Sequence, residues 1–160
     1  MELGPDFSEF VESFIAHEVE FLIVGGYAVA AHGHPKATGD LDAWILVSQA
    51  NSERVITALT SFGFELPELS ADDFRKPDMV VQLGYPPNRI DILTAIDGVT
   101  FVEAWPNRVE MNLNGSAVPF IGRVDLIRNK LASGRPRDIA DAEALRVGES
   151  GDTESHSPEI

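Results

Sequence analysis

Two aspartates, Asp40 and Asp42, are separated by one residue at the start of an apolar stretch, residues 41–47. That stretch predicts a β-strand, in which residues i and i+2 project to the same face. Two carboxylates held side by side repel each other, so the arrangement is destabilising unless a cation lies between them. Mg²⁺ suits such oxygen ligands, and it commonly takes one or two carboxylates together with phosphate oxygens. On its own the pair would also fit a solvated turn.

Two further features favour the metal site over the turn. Gly25 and Gly26 follow a predicted buried strand and open an alanine-rich helix, and a helix start preceded by glycines presents free backbone amides to an anion. Asp91 alternates with Ile90 and Ile92 in a second β-rich run, so it faces away from both of them. Its strand could lie beside residues 41–47. Asp91 is therefore the candidate third carboxylate, which would share a metal ion or receive a proton.

The elements that position these groups follow from hydrophobic periodicity and from helix stop signals. Helices are predicted over residues 6–17, 27–32, 50–62, 101–105, 124–132 and 136–147, and strands over residues 20–24, 41–47, 79–84, 89–94, 108–113 and 116–120. Residues 67–77 read as an irregular connection with one helical turn. This alternation of helices and strands predicts an α/β or α+β fold with a mixed sheet of four to six strands.

The composition limits the class of protein. A length of 160 residues suits one domain, which we expect over residues 1–148, followed by a disordered acidic tail over residues 149–160. There is no cysteine, no apolar run near the roughly 20 residues of a membrane span and no basic signal-peptide segment, so a cytoplasmic protein is expected. The net charge of −14 argues against binding along duplex nucleic acid.

The pattern of Gly25-Gly26, thirteen residues and then Asp40-Leu-Asp-Ala resembles the signature of the nucleotidyltransferase superfamily. Asp91 matches the aspartate that completes the family's triad on a later strand. The stretches RIDILTAIDGVTFVEAW and DLIRNKLASGRPRDIADAEAL resemble a small bacterial branch that includes toxin–antitoxin-associated (AbiE-type toxin-like) nucleotidyltransferases. Two positions depart from the family pattern. Gly26 stands where many active relatives have serine, and Lys36 stands where arginine is common.

The resemblance implies the minimal nucleotidyltransferase fold, a mixed and mostly antiparallel sheet with packed helices and a small helical C-terminal part. It implies Mg²⁺-dependent transfer of a nucleoside monophosphate from a nucleoside triphosphate to an acceptor hydroxyl. The metal-binding and catalytic residues would be Asp40, Asp42 and Asp91. The residues that hold the phosphates would be Gly25, Gly26, Lys36 and Lys130.

Several alternatives stay open at the level of sequence. Lys130, with the nearby Arg135 and Arg137, could equally form an ordinary corner between two helices, in which the arginines pair with Asp138 and Asp141. The acceptor could be a small molecule, a protein side chain or a nucleotide end. The chain could also be a catalytically silent binding module of a toxin–antitoxin-like system with a cognate partner protein, or a toxin-type enzyme that modifies RNA ends.

Overall fold

The computed structural model describes residues 5–35, 39–64 and 67–156. Its helices are α1 (Pro5–Ala16), α2 (Gly25–Ala31), α3 (Gln49–Phe62), α4 (Phe101–Ala104), α5 (Arg123–Ser133) and α6 (Pro136–His156). Its strands are β1 (Phe21–Val24), β2 (Leu41–Ile45), β3 (Val80–Leu83), β4 (Ile90–Leu93), β5 (Val109–Leu113) and β6 (Ser116–Phe120). Short 3₁₀ helices cover Ala71–Arg75 and Trp105–Asn107. None of the helices in these ranges is long and apolar enough to cross a membrane.

The six strands form one sheet in the order β3-β4-β2-β1-β6-β5. The pairs β1–β2, β3–β4 and β5–β6 are antiparallel, whereas β2–β4 and β1–β6 are parallel. The sheet is therefore mixed, with more antiparallel than parallel pairs, and the predicted fold class is confirmed. Because β2 and β4 run in the same direction, their amino-terminal ends lie at the same edge of the sheet.

The apolar sequence of each strand accounts for its place in the sheet. All four residues of β1, FLIV, are buried, as are four of the five residues of β2. Strands covered on both faces carry such continuous apolar runs. The edge strands β3 and β5 instead expose two of four and three of five residues to solvent. The two strands that carry the predicted carboxylates, β2 and β4, are thus internal to the sheet and rigidly placed.

Helices α1 and α3 pack together through aromatic side chains. The ring of Phe14 lies 4.3 Å from that of Phe10 and 5.3 Å, edge to face, from that of Phe21 in β1. Phe10 also meets Phe62, at the end of α3, with the ring centroids 6.1 Å apart. Edge-to-face contacts of this kind stabilise a core beyond the area that they bury. They are formed by the apolar stripe that predicted the first helix.

A buried asparagine joins α3 to the sheet. Asn51 is 1% exposed, and its side-chain oxygen accepts a hydrogen bond of 2.7 Å from the backbone amide of Glu20. Its side-chain nitrogen donates to the carbonyls of Glu20, at 3.0 Å, and Leu46, at 2.8 Å. Ser48 caps the same helix by accepting a hydrogen bond from the backbone amide of Asn51. The start of β1, the end of β2 and the start of α3 therefore meet at one side chain.

The main differences from the predicted elements are at two helix ends. Helix α2 begins at Gly25, so the two glycines are its first residues and do not precede it. Helix α6 begins at Pro136 as predicted but continues to His156, past the end predicted at residue 147. The prediction ended the helix where its apolar residues end, but a helix can continue through backbone hydrogen bonds without apolar residues. That residues 149–160 form a disordered acidic tail stays a prediction, and residues 157–160 lie outside the described residues.

We predict that Asn51→Ala lowers the free energy of unfolding by about 2–4 kcal/mol, because the substitution removes the side-chain hydrogen bonds to the amide of Glu20 and to the carbonyls of Glu20 and Leu46. Urea denaturation followed by circular dichroism measures the change. Gln49→Ala, an exposed substitution on the same helix, serves as the control and should cost less than about 0.5 kcal/mol. A loss of equal size in both variants would contradict the anchoring role of Asn51.

Candidate functional site

The parallel pairing of β2 with β4 brings the three predicted carboxylates together. Asp42 lies directly opposite Asp91, and Leu41 lies opposite Ile90. Asp40 immediately precedes β2, two residues before Asp42, so it lies at the same edge of the sheet. The strand that contains Asp91 therefore lies beside β2 as expected, and its register places Asp91 opposite Asp42.

A glycine makes room for the middle carboxylate. Val24, the last residue of β1, pairs with Asp42 across the β1–β2 ladder, and Gly25 follows it with a φ of +68°. A side-chain carbon at Gly25 would overlap the Oδ2 atom of Asp42. The position therefore requires glycine both for its positive φ and for the close approach of the carboxylate. The sequence pattern had suggested only a phosphate-binding role for this residue.

The carboxylates perturb one another electrostatically. Burial, followed by the negative charges of Asp91 and Asp40, raises the pKa of Asp42 from its ordinary value of 3.8 to about 7. The positive charges of Lys130 and Arg89 act in the opposite direction without cancelling the effect. A carboxyl group that resists ionisation in this way lies where additional positive charge would be strongly favoured.

Arg89 is the site residue that the sequence analysis missed. Its Nη2 atom donates to Asp40 Oδ2 at 2.6 Å and to Asp91 Oδ2 at 3.2 Å. The guanidinium thus lies between the carboxylate that precedes β2 and the one in β4. The signal was present, because Arg89 stands two residues before Asp91 and the alternation of a strand places both on the same face.

A cavity of about 380 Å³ opens beside the carboxylates, within the roughly 300–1,000 Å³ typical of small-molecule sites. One part of its lining is Gly25, Gly26, Asp40 and Asp42, and another comes from α5 and α6 and includes Lys130, Arg135 and Arg137. The cavity is therefore lined by carboxylates and by cations. Lys36, the remaining predicted phosphate-binding residue, lies outside the described residues.

Lys130 lies at this cavity and also fixes the corner between α5 and α6. Its ammonium group is 3.2 Å from Asp138 Oδ1 and 3.3 Å from Asp141 Oδ2, and its side chain is only 10% exposed. Arg135 Nε donates to Asp138 Oδ2 at 2.6 Å. Both positive charges are thus paired within the corner. Arg137 is exposed at the rim of the cavity.

The pKa of Asp138 shows how strong this corner is. Burial alone would raise the pKa of Asp138, but hydrogen bonds from Ser133, Arg135 and Lys130 outweigh burial and lower it to about 2. The Ser133 hydroxyl donates to Asp138 Oδ2 at 2.6 Å. Since the folded pKa lies below the ordinary value of 3.8, the stabilisation is present above that value and is lost as the pH falls through about 2.

Two contacts position α5 against the sheet. Asn129 donates from Nδ2 to the backbone carbonyl of Asp97 at 3.0 Å. Gly98, with a φ of +78°, lies so close to the helix that a side-chain carbon there would come within 2.5 Å of the Ala132 Cβ atom. The turn after β4 therefore holds α5 at a fixed distance, and that distance sets where Lys130 enters the cavity.

The donor set fits a divalent cation of the Mg²⁺ type. The Oδ1 atom of Asp91 is buried and has no hydrogen-bond partner within the described residues, so an oxygen ligand is already desolvated. With the side chains as they lie, no three histidine, cysteine, aspartate or glutamate residues in the described ranges are arranged to hold a metal ion. Arg89 lies between two of the three carboxylates. Mg²⁺ needs only one or two of them when phosphate oxygens complete its shell.

We predict that Asp42→Asn raises the melting temperature of the metal-free protein, because it removes a carboxylate that is forced to ionise beside two others. The folded pKa of about 7 is above the ordinary value, so wild-type stability falls as the pH rises towards 7. The gain in the variant should therefore be several degrees larger near pH 8 than near pH 5. Thermal unfolding in EDTA at both pH values measures it.

The matched control is Asp97→Asn, which removes an exposed carboxylate from the lining of the same cavity. It should change the melting temperature by a similar small amount at both pH values. If Asp42→Asn behaves like this control, neither burial nor repulsion by Asp91 and Asp40 disfavours the ionised form of Asp42 in the folded protein.

Comparison with known proteins supports the fold. No family model and no curated protein sequence matches the chain. A lincosamide antibiotic adenylyltransferase, LnuA, solved with lincomycin bound, has a TM-score of 0.58 at 15% identity, over 90% of this chain and 96% of that one. ANT(2'')-Ia in complex with adenylyl-2''-tobramycin has a TM-score of 0.53 at 12% identity, over 94% and 97% of the two chains. An antigenic nucleotidyltransferase-like protein from Paracoccidioides brasiliensis has a TM-score of 0.52 at 19% identity, over 88% and 74%. The chain therefore has the nucleotidyltransferase fold.

Proposed function

We propose that this chain transfers a nucleoside monophosphate from a nucleoside triphosphate to an acceptor hydroxyl in a Mg²⁺-dependent reaction. The observation that carries the proposal is the placement of Asp42 opposite Asp91 in the sheet, with Asp40 and Asp42 lining a cavity that is also lined by cationic side chains. A triphosphate chelated to a metal ion needs both carboxylates for the metal and positive charge for the phosphates. The nucleotidyltransferase fold supports the same assignment.

Asp40 and Asp42 would hold the metal ion. When bound, Mg²⁺ would offset the charge of the triphosphate and of the pyrophosphate that leaves. Gly25 and Gly26 would place backbone amides of the first turn of α2 beside the phosphates, because both residues line the cavity next to Asp42. Gly26 lacks the serine hydroxyl of many active relatives, so its contact would come from the backbone alone.

Asp91 would accept the proton of the acceptor hydroxyl or share a second metal ion with Asp42. In the transfer, the acceptor oxygen forms a bond to the α-phosphorus, and the bond from that phosphorus to the bridging oxygen of the β-phosphate breaks. Pyrophosphate leaves with the bonding pair, and the hydroxyl proton passes to a base. Asp91 is 8% exposed, and its Oδ1, which lies 3.1 Å from Arg89 Nε without a hydrogen bond, is the atom that would receive that proton.

Arg137 would contact the phosphates directly, and Lys130 would attract them electrostatically. Lys130 is already held by Asp138 and Asp141, so its charge acts at short range without its ammonium leaving the corner. Arg137 is exposed at the cavity and could reach a phosphate directly. Lys36 remains a proposed phosphate contact on the strength of the sequence resemblance.

A small molecule is the acceptor that we favour. The structural neighbours LnuA and ANT(2'')-Ia hold lincomycin and adenylyl-2''-tobramycin, and this chain aligns with nearly the whole length of both. The net charge of −14 disfavours a long polyanion as the acceptor. A protein side chain or a nucleotide end remains the alternative class to be tested alongside small hydroxylated compounds.

A catalytically silent binding module is the second candidate, and Arg89 is the observation that favours it. Its guanidinium already neutralises part of the charge of Asp40 and Asp91, as a permanent structural counter-ion would. In such a module the carboxylates would stay paired, and no nucleotide would be bound through a metal ion. The two candidates therefore differ in whether the Arg89–Asp40 contact can open.

Calorimetric titration with each common ribonucleoside triphosphate tests the proposal. We expect binding of at least one nucleotide when Mg²⁺ is present, little heat when EDTA replaces it, and no binding by Asp42→Asn in either condition. Asp97→Asn serves as the control for a cavity carboxylate and should bind like wild type. The absence of heat with every nucleotide, or wild-type affinity in Asp42→Asn, would favour the silent module.

The phosphate assignment gives a separate prediction. Arg137→Ala should raise the dissociation constant for the Mg²⁺–nucleotide complex about ten-fold, because a hydrogen bond to a charged group is lost. Arg146→Ala removes an equally exposed arginine from the same helix, away from the cavity lining, and should leave the constant unchanged. Equal effects of the two substitutions would mean that Arg137 contributes only to the general electrostatic field.

A further inference from the structure

Arg89 holds two of the three carboxylates at once. Its Nη2 atom is 2.6 Å from Asp40 Oδ2 and 3.2 Å from Asp91 Oδ2, and its Nε atom is 3.1 Å from Asp91 Oδ1. The side chains of Arg89, Asp40 and Asp91 are 29%, 34% and 11% exposed. The contact with Asp40 is thus the shortest and the most accessible to solvent, whereas the contact with Asp91 is double and more deeply buried.

One of the two contacts between Arg89 and Asp91 is an ion pair without a hydrogen bond. The Nε atom of Arg89 and the Oδ1 atom of Asp91 lie within ion-pair distance, but their geometry does not form a hydrogen bond. Both atoms are buried, and neither has another hydrogen-bond partner in the described part of the chain. Buried polar atoms without hydrogen-bond partners are destabilising, so a rearrangement that gives both atoms a partner would be favoured.

Three carboxyl groups, those of Asp40, Asp42 and Asp91, lie around the single guanidinium of Arg89. Lys130 is near, but it is held between two other aspartates in the α5–α6 corner. A cation bound by Asp40 and Asp42 would need the oxygen of Asp40 that Arg89 now holds.

We propose that Arg89 competes with the divalent cation for Asp40, so that cation binding requires the guanidinium to release Asp40 while it keeps Asp91. The metal-free site is stabilised by Arg89 and binds a cation weakly. A nucleoside triphosphate favours the exchange, because it brings further ligands for the cation and a negative group that can pair with the freed side of the guanidinium. This second part rests on the proposed function, whereas the competition itself does not.

The test measures Mn²⁺ binding without any nucleotide, from the loss of the free-ion signal in electron paramagnetic resonance. We expect Arg89→Gln to bind Mn²⁺ at least about ten-fold more tightly than wild type, since the competing charge is gone. In EDTA the same variant should melt several degrees below wild type, and excess Mg²⁺ should restore more stability to it than to wild type. Arg89→Lys keeps the positive charge but not the planar guanidinium that contacts two carboxylates, and it should bind Mn²⁺ with intermediate affinity.

The control is Arg75→Gln, which breaks a more exposed arginine–aspartate pair, with Asp72, outside the cavity lining. It should leave Mn²⁺ affinity unchanged. If Arg89→Gln does not fold, Arg89→Lys decides the question by the same measurement. Mn²⁺ affinity in the Arg89 variants equal to that of wild type would overturn the competition, whatever the nucleotide titrations give.

The two proposals fail in different ways. Tighter Mn²⁺ binding in Arg89→Gln, with no nucleotide bound by any form of the protein, would support the competition and contradict the proposed function. Nucleotide binding by wild type, with unchanged Mn²⁺ affinity in both Arg89 variants, would support the function and overturn the competition. Nucleotide-dependent Mn²⁺ binding in wild type that becomes nucleotide-independent in Arg89→Gln would support both.

Discussion

The repulsion among three carboxylates at one edge of the sheet is the constraint on which the rest of the site depends. Asp42 and Asp91 face each other because β2 and β4 are parallel and in register, and Asp40 stands two residues from Asp42. Interior strands cannot move to relieve this repulsion. The chain offsets it only in part, with Arg89 between Asp40 and Asp91, and the remaining repulsion adds to burial, the larger cause, in raising the pKa of Asp42. Catalytic sites commonly hold charged groups in such unrelieved arrangements.

The neighbouring elements are consistent with that constraint. Gly25 has no side chain where one would overlap the carboxylate of Asp42, and Gly98 lets α5 approach the turn that follows β4. The positive charge of Lys130 then lies near Asp42, held by Asp138 and Asp141. This corner answers a question that the sequence left open, because Lys130 both forms a helix–helix corner and lines the cavity. The two roles are compatible in one side chain.

Much of this could be predicted from the sequence because it rests on local periodicity. The alternation in β2 and β4 placed Asp42 and Asp91 on their strands and Asp40 just before β2, and apolar periodicity gave α1 and α3. Arg89 was missed because a cation next to a carboxylate in sequence can point to solvent, and its pairing with Asp40 depends on strand order. The end of α6 was missed because residues past 147 have almost no apolar pattern. The role of Gly25 as a space for Asp42 required the β1–β2 register.

The central claim is that the carboxylate edge of β2 and β4 receives a metal ion together with a nucleotide. Its most direct test is a crystal structure of the wild-type protein with Mn²⁺ and a non-hydrolysable nucleoside triphosphate, with anomalous data collected at the manganese edge. The account predicts an anomalous peak in contact with Asp40 and Asp42, phosphates within the cavity, and Arg89 no longer bound to Asp40. A nucleotide bound elsewhere, or a cavity in which Arg89 still bridges Asp40 and Asp91 with no peak beside them, would contradict it.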